Sequence, residues 1–293
     1  MLRRSVLLAL LLFAPGAASA SAPAATTSAI DRHVFRFVDH TRLAHFRNGV
    51  VRPRVLVTYV RYPHNSRAPL PLIVFGHGFA TTPGIYARLL DAWARAGYVV
   101  AAPLFPVENA NAPGGPDESD LINQPADISF VITRLLADSA ESGSSLHGLI
   151  DPTRIAVSGQ SDGGETALAV AYDKQFRDHR IRAAIILSGA QFGRQQLADL
   201  PQRLPLLATQ GTNDRINLPS ETRAFFRVAS RPKFLLSLLG AGHLPPYTTN
   251  ATELAVVERV AIAFLDRYLK NGSLRRLIEA GSVSGIARLT ADP

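Results

Sequence analysis

The order of apolar runs and breakers predicts an α/β fold, a mainly parallel central sheet with helices on both faces. Three observations carry this. Leu70 to Phe75 is apolar almost without interruption, as in a strand covered on both sides. Short apolar runs alternate with stretches of helical spacing along most of the chain. Finally, Ile155-Ala156-Val157 leads through Gly159-Gln160-Ser161-Asp162-Gly163 into an Ala-rich segment at helical spacing, with Ala167, Leu168, Val170 and Ala171 on it.

The chain of 293 residues begins with Met1-Leu2-Arg3-Arg4, an apolar run from Val6 to Ala14, and the overlapping small-residue sites Ala18-Ser19-Ala20 and Ala20-Ser21-Ala22. That layout is a secretory signal peptide over residues 1–22, too short to serve as a membrane span. It predicts a secreted or periplasmic protein, with 23–293 as one domain whose core lies at about 34–270. Residues 21–29 are small and polar, a disordered leader after cleavage. Without any cysteine the fold cannot rely on disulfides. No later stretch is long and apolar enough for a stable membrane span.

Val34–Val38 and Val55–Val60 alternate as strands, with a turn at Pro63 and Asn65. After Leu70–Phe75 come Gly76-His77-Gly78-Phe79, a helix over Pro83–Gly97 and a strand at Tyr98–Ala101. Phe105–Gln124 is irregular and rich in Pro, Gly and Asn, the kind of long loop that is usually functional or mobile. A helix over Pro125–Leu136 follows. Beyond the glycine-rich turn, strands are expected at Ala183–Leu187, Leu204–Ala208 and Phe234–Leu238, and helices at Ser220–Val228 and Thr252–Leu269. The tail over 271–293 reads as a short helix and a fray.

The formal charge of +8 falls to +6 when Arg3 and Arg4 leave with the leader. The arginines are scattered rather than clustered, which speaks for a solvated surface and against nucleic acid as a partner. No zinc-type, P-loop or dinucleotide motif is present, so neither cofactor nor metal is expected.

A serine at the tip of a strand-turn-helix projects its hydroxyl above the sheet, and the helix N-terminus aims its partial positive charge there. The bland alternative is a glycine-rich turn whose serine caps a helix. As a nucleophile Ser161 needs a base, and the base needs an acid to hold its tautomer. Asp214, in Gly211-Thr212-Asn213-Asp214, and His243, in Gly240-Ala241-Gly242-His243, each follow a predicted strand at the edge where such sheets bind ligands. The other acids downstream, Asp173, Asp178 and Asp199, read as solvated surface. The backbone N–H groups of Asp162 and Phe79 are the expected oxyanion donors. His77 is expected to brace its loop rather than react, and Phe79, Phe105 and Leu244 or Pro245 to wall an apolar pocket.

The sequence resembles the α/β-hydrolase superfamily. Within it, the chain is similar to secreted dienelactone hydrolases, platelet-activating-factor acetylhydrolases, chlorophyllases and cutinase-like polyester hydrolases. The residues that carry this are Val38-Asp39 with Arg42, Tyr62-Pro63, Phe75 to Phe79, Ala96 to Val100, Pro125 to Val131, Asp151-Pro152 with Arg154-Ile155, Gly159 to Gly164, and Gly242-His243. The resemblance implies a Ser161, Asp214, His243 triad, Phe79 and Asp162 amides as oxyanion hole, and hydrolysis of small or polymeric carboxylic esters through an acyl-enzyme. The elbow departs from many relatives in carrying Gln160 and Asp162. An acidic side chain beside a developing anion has to point away or pair with an arginine. The staple cysteines of many polyester hydrolases are also missing. An exported peptidase or amidase, or a non-catalytic binding protein of the same fold, are the alternative readings.

Overall fold

A computed structural model of the chain describes residues 29–190 and 203–293. The expected signal peptide, the leader up to residue 28 and Asp199 lie outside them. The elements are β1 (Ile30–His45), β2 (Val51–Pro63), β3 (Leu70–Gly76), α1 (Ala87–Arg95), β4 (Val99–Leu104), α2 (Gln124–Ala140), β5 (Ile150–Gln160), α3 (Asp162–Tyr172), β6 (Ile181–Leu187), β7 (Leu206–Gly211), α4 (Pro219–Val228), β8 (Lys233–Leu238), α5 (Pro245–Thr248), α6 (Ala251–Leu269), α7 (Leu274–Ala280) and β9 (Ala287–Asp292). The strands form one nine-stranded sheet in the order β1-β2-β4-β3-β5-β6-β7-β8-β9. The six from β4 to β8 in that order are parallel, and antiparallel strands close both edges.

Alternation within the parallel strands feeds two cores. Leu72, Val74, Ile155 and Val157 face α2, α3 and α4, whereas Ile73, Phe75, Ala156 and Ile185 face α1, α5, α6 and α7. Burial on both faces explains why these strands read as unbroken apolar runs. No helix among the described residues is long and apolar enough to cross a membrane.

Two regions depart from the expectation. β1 runs far past Val38 to His45, across a register shift between Asp39 and Leu43. The tail does not fray after α7: β9 pairs antiparallel with β8, from Lys233 opposite Asp292 to Leu238 opposite Ala287. Backbone bonds to β8 build this edge strand, so it needs only one buried side, supplied by Ala287 and the half-buried Leu289.

Candidate active site

The turn between β5 and α3 is compressed against the loop after β3. A Cβ on Gly159 would overlap the Gly163 carbonyl, and one on Gly163 would overlap that of Gly76. The crowding forces Ser161 to φ +57° and ψ −123°, a conformation that costs a non-glycine residue about 1–3 kcal/mol. Its N–H is tied to Leu187 O at 3.0 Å, and its Oγ donates to Asp162 Oδ1 over 3.4 Å.

Asp214 and His243, from the loops after β7 and β8, meet at 2.8 Å between Oδ2 and Nδ1. Asp214 is well seated: Oδ1 accepts from Ile216 N at 2.9 Å and Asn217 N at 3.2 Å, while Gln210 Nε2 reaches Oδ2 at 3.1 Å. Burial pushes this carboxyl up, but the bonds from His243 and the Ile216 amide outweigh it and leave it below the usual carboxylate range. On its other side the imidazole meets the elbow. Gln160 Nε2 lies 3.2 Å from His243 Nε2 and 3.3 Å from His243 O. Only an amide nitrogen can face that carbonyl, so the Gln160 amide donates toward Nε2, and the Nδ1–H of His243 donates to Asp214 Oδ2. The Gln160 Oε1 accepts from Tyr86 OH at 2.7 Å. No hydrogen bond joins Ser161 to His243 in this resting arrangement of the described residues.

The loop after β3 comes up to the serine: a Cβ on Gly78 would lie 3.1 Å from Ser161 Cβ and 2.9 Å from Gln160 Oε1. The Gly78 carbonyl is held by His77 Nδ1 at 2.9 Å, Thr81 Oγ1 at 2.7 Å and Thr81 N at 3.2 Å. In a trans peptide the following N–H points the opposite way, so these three donors aim the Phe79 amide away from themselves. Neither the Phe79 nor the Asp162 N–H has an acceptor among the described residues. His77 is wholly buried, and its Nε2 accepts from Phe105 N at 3.0 Å. Burial pushes the imidazole down to about 4, so it stays neutral and braces the loop as expected.

A family model described as Chlorophyllase matches residues 40–191, from β1 to just past β6 and through both the β3 loop and Ser161. The chain belongs to the chlorophyllase family. That family lies in the α/β-hydrolase superfamily and places the chain among hydrolases acting on esters. The match ends before Asp214 and His243, whose pairing beside Gln160 rests on geometry alone. Comparison with curated proteins finds no match.

Within this chlorophyllase-family chain the expected pocket walls fare unequally. Phe105 has no exposed surface; its ring centroid lies 4.9 Å from that of His77, so it supports the loop from beneath instead of lining open space. Leu244 is half-buried and Pro245 exposed. Phe79, Ile216 and Leu218 are 39%, 70% and 49% exposed, and the last two escaped notice because a loop isoleucine or leucine carries no motif. The 105–124 stretch is a packed wall. Ala80 N donates to Glu108 O at 3.0 Å and Ala110 N to Thr81 O at 3.1 Å, and its last six residues before α2 form a 3₁₀ turn, Glu118–Asn123.

Among the alternative acids, Asp178 pairs with Arg180, and Asp173 is buried rather than solvated, accepting from Gln175 N at 2.6 Å at the far end of α3. No cluster of three metal-binding side chains occurs among the described residues. A groove of about 1050 Å³ between α1, α6 and α7 shares no residue with the Ser161 edge.

Proposed function

We propose that this chain is an exported serine esterase that cleaves carboxylic esters through an acyl-enzyme on Ser161. The observation that carries the reading is the 2.8 Å Asp214–His243 pair whose imidazole abuts Gln160, the residue just before a serine in a strained turn. In the reaction the Ser161 hydroxyl leaves Asp162 and the Gln160 amide yields Nε2. His243 takes the proton as Oγ attacks the acyl carbon, and the Asp214 carboxylate stabilises the imidazolium. The Phe79 and Asp162 amides receive the oxyanion. His243 then protonates the departing alcohol, and water repeats the sequence on the acyl-enzyme.

The exposed Phe79, Ile216 and Leu218, with Leu244 and Pro245, favour an ester with an apolar acyl or alcohol part. Export rests on the basic start, apolar run and small-residue sites of residues 1–22. Purified protein is expected to hydrolyse p-nitrophenyl esters, with rates graded by acyl length. Ser161→Ala is expected to lower kcat by about 10³-fold or more. Equal rates in the two proteins would reject the role of Ser161.

A further inference from the structure

Asp162 poses a problem of charge. Its N–H is a proposed oxyanion donor, yet its own carboxylate would oppose the negative charge forming on the substrate. The sequence leaves it to point away or to pair with an arginine, and no N–H or hydroxyl donor reaches Oδ2 among the described residues. Glu108 faces it instead. This side chain has no exposed surface, both of its oxygens lack such a donor, and it lies within hydrogen-bonding reach of Asp162. Two bare carboxylates cannot share a dry site, whereas one proton between them satisfies an oxygen on each. The backbone adds a second tie. Glu108 O accepts from Ala80 N, the residue after Phe79, so a single residue meets both the Asp162 side chain and the loop that carries the Phe79 amide.

We propose that Glu108 is a positioning residue for the esterase reaction: as a carboxylic acid it donates its proton to Asp162 Oδ2, holds that side chain on the loop side of Ser161, and braces the Phe79 and Asp162 amides against each other. The inference rests on the Ser161 reading. The groups facing the pair are acidic or neutral: Glu118 and Asp120 from the turn before α2, Glu165 from α3, the neutral His77, and Tyr86. Burial first, then Asp162, Asp120 and Glu118, push the Glu108 carboxyl up to about 11.

Infrared difference spectra and ester kinetics on the full chain test this. The spectrum of wild type minus Glu108→Gln at about pH 8, where ordinary carboxyls are ionised, is expected to contain a carboxylic-acid carbonyl band. Glu108→Leu, which fills the space but donates nothing, is expected to lower kcat about tenfold with little change in KM, while Glu108→Gln, with an N–H for Asp162, restores it to within about threefold. Wild-type activity falls on the alkaline side where that of Glu108→Gln holds. Absence of the acid band overturns the proposal, as does equal damage in the two variants with unchanged pH profiles. So does a stoichiometric cation present in wild type and lost in Glu108→Gln. The band can be recorded on Ser161→Ala protein, so it is read independently of catalysis. An active Ser161→Ala would instead sink the esterase reading beneath the proposal.

Discussion

The stretch from Phe105 to Asp127 buries acidic side chains in two places, and the two are neutralised differently. At one, Arg54 from β2 forks onto Asp120 at 2.8 and 2.7 Å and onto Asp127 at 2.9 and 2.6 Å. Arg42 adds a bond to Asp127 at 2.9 Å and one to Asp39 at 2.7 Å, which explains why Asp39, Arg42 and Asp127 recur together among the residues that carry the family resemblance. At the other, Glu108 meets Asp162 beside Ser161 with no cation. A guanidinium is a permanent counter-charge, so the first cluster is a fixed staple holding the loop against β2. A proton can leave, so the second cluster is the one whose charge answers to pH. Burial and residue type alone do not separate a structural acid from a functional one; the neutralising partner does.

The largest effect that bears on this contrast is expected at Arg54. Replacement by Leu leaves buried Asp120 without a cation and Asp127 with Arg42 alone, and should cost about 3–5 kcal/mol in urea unfolding. A loss within about 0.5 kcal/mol would show that the staple is not needed.

Next in size comes the pH dependence of Glu108→Gln. A carboxyl whose folded value is raised from 4.5 toward about 11 contributes stability that is whole below 4.5 and drains as pH climbs through that range. Wild type therefore loses stability as pH rises that the Gln variant keeps. The gap in Tm between the two should widen from pH 5 to 9. A flat gap at Glu108 would erase the distinction between the clusters.

The smallest effect is expected at Gln160, whose amide covers the imidazole nitrogen that the proposed reaction needs free. Gln160→Leu should speed fluorophosphonate labelling by a few-fold, the worth of about 1 kcal/mol for one hydrogen bond. A slower reaction would mean that the amide supports the base rather than competing for it.

Much of this was legible before any coordinates. The parallel strands announce themselves because both faces are buried, and strand-end positions single out Asp214 and His243, which the structure pairs, without a local motif. Ser161 was marked by the glycines that its crowded turn demands. β9 was not legible: its six residues hold only Ala287 and Leu289 as inward apolar contacts, too few to set a period. Glu108 was hidden for the opposite reason. One acid in a Pro- and Asn-rich loop looks solvated, and only the fold brings it against a residue 54 positions later, at Asp162. Phe105 was misread because a loop aromatic beside a catalytic edge suggests a wall, whereas the His77 ring claims its face.

The most direct test of the account is covalent. Incubation with a fluorophosphonate, followed by intact mass and peptide mapping, is expected to yield a single adduct on Ser161 in wild type. The reaction should slow by orders of magnitude in His243→Ala and Asp214→Asn. No adduct, an adduct on another residue, or labelling of Ser161 at an unchanged rate without His243 would contradict it.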